Sequence, residues 1–352
     1  MTSLLSFFRT SQSSSSKTLV ITGAGVSTAS GIPDYRSPGR PLYKPLQHAE
    51  FISKESVRRR YWARSFIGYS VMANAKPNIA HFALSQLEKL GYINGGLITQ
   101  NVDRLHQRAG HIDVLELHGT VMECECMNCK SLINRNKVQE KMAKDNKAWE
   151  GLAPSKKRSF EASESTLGML PPDSSSSSSS SCSTSSTSSF PSSSSSQQLL
   201  QQPRHSTRPD GDVELDALDL YDPFIIPTCD FCFEPALKPR VIFHGGNVDS
   251  AVAANAKKRA EECSSLLIIG STLSTFSAYR LVRDVSLLKK PIVILNKGIT
   301  RGDEHASLKI NEDLGFVLSN TIKDLTGEEN FLKEESQETI NTNHFILNKE
   351  KI

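Results

Sequence analysis

Residues 18–37 read TLVITGAGVSTASGIPDYRS, and their reading decides the fold. Thr18 to Thr22 suit a buried strand and run straight into Gly23-Ala24-Gly25. Ser27 and Thr28 then suit the first turn of a helix. A strand, a glycine turn and a helix N-terminus together form a phosphate cradle, because glycine allows close backbone approach and free N–H groups hold the charge. The dinucleotide fingerprint asks for a third glycine three places after the second, whereas Val26, Ser27 and Thr28 follow Gly25. An ordinary tight turn therefore stays open as a reading. Gly31-Ile32-Pro33-Asp34-Tyr35-Arg36-Ser37 is polar and conformationally restricted where a plain nucleotide-binding unit would continue its helix.

Outward from this stretch, apolar runs recur and each ends in polar residues that suit ligand contacts. Leu97-Ile98-Thr99 leads to Gln100-Asn101, Val114 to Leu117 leads to His118, Leu266 to Ile269 leads to Gly270-Ser271, and Ile292 to Leu295 leads to Asn296. Near-continuous apolar strands alternating with helical stretches predict a Rossmann-like parallel α/β sheet covered on both faces. Ligands of such sheets lie beyond the carboxyl ends of the strands, so these polar ends are expected to meet in one crevice. Ile79, Ala83, Leu87 and Leu90 recur at helical spacing before Gly91, which marks an amphipathic helix with a glycine stop and a structural role for His81. Arg58-Arg59-Arg60-Tyr61-Trp62-Ala63-Arg64 is basic and aromatic; its simplest reading is a solvated face.

Cys126-Met127-Asn128-Cys129 and Cys229-Asp230-Phe231-Cys232 repeat one C-x-x-C spacing and can supply four thiolates to a structural zinc ion with no position open to water. Redox pairs are the alternative reading. The two pairs are separated by far more than the usual 15–20 residues of a zinc ribbon. Residues 155–208 account for most of that distance: Ser174 to Ser181 is unbroken serine, and such a segment cannot bury enough apolar surface to offset its ordering entropy. It reads as a disordered insertion in a loop, which folded domains tolerate. Cys124 is a competing ligand, set aside because Cys126 with Cys129 repeats the spacing of the other pair. Cys182 and Cys263 lack a visible partner.

The 352 residues allow one large core and a smaller unit, and a net charge of +3 gives no sign of a nucleic-acid surface. No apolar run approaches the ~20 residues needed to span a bilayer. Seven clustered cysteines favour metal binding in a reducing compartment over a disulfide framework. The segment 1–17 has Arg9, Lys17, many serines and no acid, which fits a weak mitochondrial presequence or a short helix capping the first strand. Residues 18–122 with 235–326 are the expected Rossmann-like nucleotide-binding domain, with a cofactor loop and helical insertion at 38–76; residues 123–234 are the small zinc domain, and 327–352 a polar tail.

GAGVSTASGIPDYRS closely resembles the first signature of the sirtuins, the NAD-dependent protein lysine deacylases, and TQNVDRLH, ELHG, the cysteine pairs, LKPRVIFHG, GSTLS and ILNKG follow in the family order. QHAEF, RYWARSF and Tyr279-Arg280 resemble most the class II members, a mitochondrial one in particular. The resemblance implies that Gly23, Ala24, Gly25 and Ser27 contact the NAD phosphates and ribose, Arg36 helps hold the phosphates, Tyr35 screens the reacting sugar, and Asp34 helps build the pocket. It gives Gln100 a ribose hydroxyl, Ile32, Asn101 and Asp103 the nicotinamide pocket, and Gly270, Ser271, Ser274, Asn296 and Ser307 the adenosine half. His118 becomes the base, with Asn101 and Asp103 in the catalytic set; its imidazole suits proton removal near neutrality. NAD is then consumed, and the acyl group of an acylated protein lysine leaves as O-acyl-ADP-ribose beside nicotinamide. Tyr61 and Arg64 resemble the class II acyl pocket, where an arginine fork pairs with a carboxylate, so a dicarboxylic-type acyl group is expected. One structural zinc ion, held by Cys126, Cys129, Cys229 and Cys232, completes the implied set.

Two departures accompany the resemblance. Phe243-His244-Gly245-Gly246 stands where the family reads Phe-Phe-Gly and an acid, at an edge expected to take the substrate peptide by strand addition. The amino-terminal helix is short, so cytoplasm and nucleus stay open beside the mitochondrion. Protein ADP-ribosyl transfer at the same site, a hydride-transferring dehydrogenase and an NAD-sensing binding module are the alternatives.

Overall fold

The computed structural model describes residues 4–10, 16–35, 45–152, 210, 213 and 221–327. The serine-rich block, the tail beyond residue 327, Cys182 and Arg36 lie outside them. Strands β1 (Thr18–Thr22), β2 (Leu97–Thr99), β3 (Val114–Glu116), β7 (Ser265–Ile269), β8 (Ile292–Leu295) and β9 (Leu308–Ile310) form one parallel sheet in the order β3-β2-β1-β7-β8-β9. The order reverses between β1 and β7, which makes the carboxyl ends of these two strands the topological switch point. Side-chain alternation explains why the runs are apolar throughout. Val20, Leu97, Leu267, Ile269, Val293 and Leu295 share one core with α1 (Leu4–Thr10), α4 (Ile79–Lys89) and α9 (Leu314–Thr326). Leu19, Ile21, Ile98, Leu266, Ile268 and Ile294 share the other with α7 (Ser250–Glu262) and α8 (Phe276–Leu287). With both faces covered, the interiors of the central strands are apolar, and Thr18, Thr22, Thr99 and Ser265 stand at strand ends.

Leu4, Phe7 and Phe8 are buried in the first of these cores, on one face of α1 at helical spacing, and Phe8 lies 5.6 Å edge-on from Tyr92. Residues 4–10 thus form a packed helix.

A second, antiparallel sheet of order β5-β4-β6 contains β4 (Gly119–Cys126), β5 (Leu132–Asn134) and β6 (Leu237–Val241). Its core joins α3 (Glu55–Asn74) and α6 (Arg135–Asp145), with Trp62 donating its indole N–H to the Leu237 carbonyl at 3.2 Å. Arg135 is fully buried between the Trp62 and Tyr69 rings, 5.4 and 4.1 Å from their centroids, and donates to Ser65 and Gln139. The basic run on α3 is not a solvated face: Arg58 donates to the carbonyls of Phe51 and Ile52 at the end of α2 (His48–Ser53), and Arg59 to those of Asp222 and Phe224.

Beneath the sheet ends, His81, His106 and His111 stack with ring centroids 4.8 and 5.5 Å apart. His81 closes the capping box of α4 with Asn78, His106 meets Thr22 at 2.9 Å, and His111 meets Glu88 at 3.1 Å. Burial, with the neighbouring His111, pushes the His81 imidazole down to about 3. Burial opposes ionisation of Glu88, yet bonds from His111 and from the N–H groups of Ile112 and Asp113 hold its carboxyl near about 2. A buried neutral histidine contributes stability that is full above its unfolded value of ~6.5 and is lost as pH falls towards the folded value. Glu88 adds a loss below about 4.5. The urea midpoint should therefore fall continuously from about pH 6.5 to pH 4, and His81→Asn should make that fall shallower; equal slopes for the two proteins would remove the imidazole from the account.

Candidate active site

The turn after β1 continues as a 3-10 helix over Ala24–Ser30, not as an α-helix. Its N–H groups are partly spent: Gly23 donates to the Ile269 carbonyl at 3.1 Å, Gly25 to the Gly270 carbonyl at 2.9 Å and Val26 to the Gly23 carbonyl. A Cβ on Gly25 would lie 2.9 Å from that carbonyl oxygen, and one on Gly270, at φ +60, 2.6 Å from the Val26 nitrogen. These glycines are needed first of all so that two strand-to-helix turns can touch backbone to backbone. Two of the turn's N–H groups, those of Gly23 and Gly25, are thus spent on β7 and the turn after it.

Around this contact the polar strand ends converge. Asn101 donates to the Gly23 carbonyl at 3.1 Å and to Ser27 Oγ at 3.0 Å, and Ser27 Oγ donates to Asp103 Oδ2 at 2.7 Å. Asp103 Oδ1 accepts the Leu105 N–H at 2.9 Å. Burial pushes the Asp103 carboxyl up against the lowering effect of these bonds. Ile32 packs in an apolar cluster with Val102, Leu105 and Val121 beside them. Gln100 donates to Ser271 Oγ at 2.7 Å and accepts from Thr275 at 3.1 Å, tying β2 to the turn after β7. Asn296 is buried, its N–H donating to the Ile310 carbonyl, and Ser274 contacts Thr272 at 2.8 Å. Asp34 is half-buried, and Tyr35 is exposed.

His118 follows β3. Its Nδ1 lies 3.1 Å from the Gln100 carbonyl oxygen, which can only accept, so Nδ1 carries the proton and Nε2 the lone pair. Ser277 Oγ donates to Nε2 at 2.8 Å. Burial holds the imidazole below its ordinary value. Both Asp103 and His118 are thus shifted towards their neutral forms, and the acceptor nitrogen of the neutral His118 ring is Nε2.

Two expectations, Ser307 and His244, are placed differently. Ser307 does not join this group: it precedes β9, where its N–H donates to the Ile292 carbonyl at 2.8 Å and its Oγ accepts the Ile292 N–H, at the amino-terminal end of the sheet. Asn311 stands instead at the carboxyl end of β9, bonded to the Gly298 N–H at 2.7 Å. His244 already pairs through its backbone with Leu46 and His48, so that side of the edge is taken. Tyr61 packs on Phe51 and Phe243 at 5.4 Å, while Arg64 is buried and donates through Nε to the Val213 carbonyl at 2.6 Å. Ser277, Thr275 and Asn311 were not singled out from the sequence, because no motif marks a serine in the first turn of a helix.

The four cysteines form a separate centre. Cys126 and Cys232 sulfurs lie 3.5 Å apart, Cys129 and Cys229 sulfurs 3.6 Å, and all four fall within 4.8 Å of one another. Zinc–sulfur bonds of ~2.3 Å in a tetrahedron need sulfurs slightly under ~4 Å apart, so the donor set fits zinc. Both knuckles have one geometry: Lys130 donates to the Cys126 carbonyl and Phe233 to the Cys229 carbonyl, each at positive φ. Cys124, also buried, stands outside the set. Cys263 donates to the Ala260 carbonyl.

The Sir2 family signature matches residues 23–277. The NAD-dependent protein deacylase SRT2 of Arabidopsis thaliana is 39% identical over 86% of this chain and 72% of its own. The protein of Monosiga brevicollis called NAD-dependent protein deacylase SIR4 is 38% identical over 81% of this chain and 76% of its own. The mitochondrial NAD-dependent protein lipoamidase sirtuin-4 of Homo sapiens is 37% identical over 86% and 81%. Among solved structures, a Sir2 protein with a p53 peptide and NAD+ superimposes with a TM-score of 0.62 at 25% identity, covering 92% of this chain and 98% of that one.

Purified protein should contain one zinc per chain by elemental analysis. Cys229→Ser should lose the metal and melt at lower temperature, whereas Cys124→Ser should keep it; a metal-free wild type that melts unchanged would exclude a structural role.

Proposed function

The chain belongs to the Sir2 family, and from that premise we propose that it is an NAD-dependent protein deacylase acting on acylated lysine side chains. NAD serves as co-substrate: breaking its nicotinamide bond makes the sugar carbon an acceptor for the acyl oxygen, and the acyl group leaves on ADP-ribose. His118 would take the proton of a ribose hydroxyl at Nε2, with Nδ1–H anchored on the Gln100 carbonyl. Ser27, Asn101, Asp103 and Ile32 would line the nicotinamide side. Gly23, Ala24 and Gly25 would face the phosphates and Gln100 a ribose hydroxyl, while Gly270, Ser271, Ser274 and Asn296 would face the adenosine half. Asp34, Tyr35 and Arg36 would close over the sugar. The four cysteines would hold zinc as a structural ion. The single observation that carries this reading is His118, fixed as a neutral base by the Gln100 carbonyl at the end of the crevice that holds Asn101 and Asp103.

We further place the enzyme in the mitochondrion, because the Bos taurus and Homo sapiens relatives have that location in their names. Tyr61 and Arg64 support a dicarboxylic-type acyl group, since a buried guanidinium with Nε on a carbonyl keeps its terminal nitrogens on one rigid plane.

Incubation with NAD and a panel of acylated peptides should release nicotinamide and free lysine in equal amounts, with loss of at least ~100-fold in His118→Tyr. Nicotinamide release that survives the substitution would refute the base assignment; NADH formed without nicotinamide would establish a dehydrogenase. Arg64→Ala should lower activity on acidic acyl groups more than on acetyl, and an unchanged ratio would remove Arg64 from acyl selection.

A further inference from the structure

His118 is held at both nitrogens by different parts of the fold. The Gln100 carbonyl, just past β2, takes Nδ1–H at 3.1 Å, and the Ser277 hydroxyl, in the first turn of α8, reaches Nε2 at 2.8 Å. The roles follow by elimination. A carbonyl oxygen only accepts, so the neutral ring has its lone pair at Nε2, and the hydroxyl must donate to it. Nε2 is the nitrogen that a sugar hydroxyl has to reach. Before the sugar arrives, its lone pair is therefore already occupied, in the direction from which α8 approaches.

We propose that Ser277 is a positioning residue for the base: its hydroxyl holds the ring plane and the Nε2 lone pair of His118 in line, then yields that nitrogen to the sugar hydroxyl. The inference rests on the proposed role of His118. The proton balance is simple. The sugar O–H bond breaks, its proton forms the Nε2–H bond of an imidazolium, and the sugar oxygen keeps the electron pair. Ser277 gains and loses no proton: it gives up its bond to Nε2 as the sugar hydroxyl takes the single in-plane lone pair of that nitrogen.

The setting of α8 acts in the same direction. The first i to i+4 bond of this 12-residue helix runs from the Tyr279 N–H to the Thr275 carbonyl, so Ser277 sits in the turn whose N–H groups have no helical acceptor. The positive end of the helix faces the ring and disfavours imidazolium. The charged groups described on the neighbouring elements have partners of their own. Glu116 on β3 is held by Arg104 and Gln107, Asp103 by Ser27, and Glu123 on β4 by Arg104 and Arg240; Lys238 on β6 donates to the carbonyls of Pro239 and Val241, and Tyr279 on α8 meets Glu304 and His305. Thr275, the residue before α8, donates to Gln100 Oε1 at 3.1 Å, so the residue that anchors Nδ1 is also tied to the helix that anchors Nε2.

The sign of the effect is fixed. A donor to Nε2 stabilises only the neutral ring, so removing it raises the pH at which His118 protonates. In 15N-histidine spectra of the NAD-free protein, His118 should titrate below ~6.5 with its proton on Nδ1. Ser277→Ala should move that titration up by about 0.5–1 pH unit, and the acid limb of kcat/KM with it. Ser277→Cys, a weaker donor of similar size, should fall between them and keeps the test open should the alanine variant fold poorly. A His118 titration that is the same in all three proteins overturns the proposal. Deacylation and nicotinamide release that persist in His118→Tyr overturn the base assignment instead, and the spectra still report whether Ser277 touches the ring.

Discussion

Everything at the carboxyl edge of the parallel sheet depends on one backbone contact, the bond from the Gly25 N–H to the Gly270 carbonyl. It fixes the turn after β1 against the turn after β7, across the place where strand order reverses. Three residues without side chains make it possible, since a methyl group on Gly23, Gly25 or Gly270 would come within 3 Å of the opposite chain. The crevice is therefore an outcome of sheet topology closed at one point by main chain, and the polar side chains use the distances that this closure sets.

Two ties show how. Asn101 bonds to the Gly23 carbonyl and Gln100 to Ser271, so each side chain leaving β2 is fastened to one of the two turns. Gln100 has a second task through its own carbonyl, which selects the tautomer of His118. Desolvation then acts with opposite sign on the two ionisable groups: it raises Asp103 and lowers His118, bringing a carboxylate and an imidazole nearer to the neutral forms in which both can exchange hydrogen bonds with an uncharged partner. Below them the Thr22–Thr99 hydroxyl pair joins Asn101 to the buried imidazole of His106, so the polar floor of the crevice continues into the core.

The fold was legible because its strands are buried on both faces, and continuous runs such as Leu266 to Ile269 state that directly. His118 and Asn101 were legible for a related reason, as polar residues at strand ends. Ser307 was not, because a match of motif order cannot show whether a serine stands before or after a three-residue strand, and the two positions lie at opposite ends of the sheet. The arginines of α3 were misjudged by composition alone: a cation whose stem crosses a buried helix can end on main-chain carbonyls as well as in water. Ser277 carries no sequence signal, since its importance lies in the approach of α8 to β3, a long-range packing relation.

The cysteine cluster and His118 stand at opposite ends of one strand. β4 begins at Gly119, next to His118, and ends at Cys126, eight residues beyond His118 and roughly 25 Å away at extended spacing. At that distance a zinc ion would not polarise a bond at His118, and its influence there would pass through the sheet. The Ile242 N–H donates to the His118 carbonyl, and the next residue, Phe243, packs on Tyr61, Phe51 and Lys238. Both C-x-x-C turns therefore restrain the strands that carry this contact: one closes β4, the other precedes β6. In the proposed reading the thiolates would hold the frame on which His118 rests, a role that asks for four closed ligands and no open coordination position.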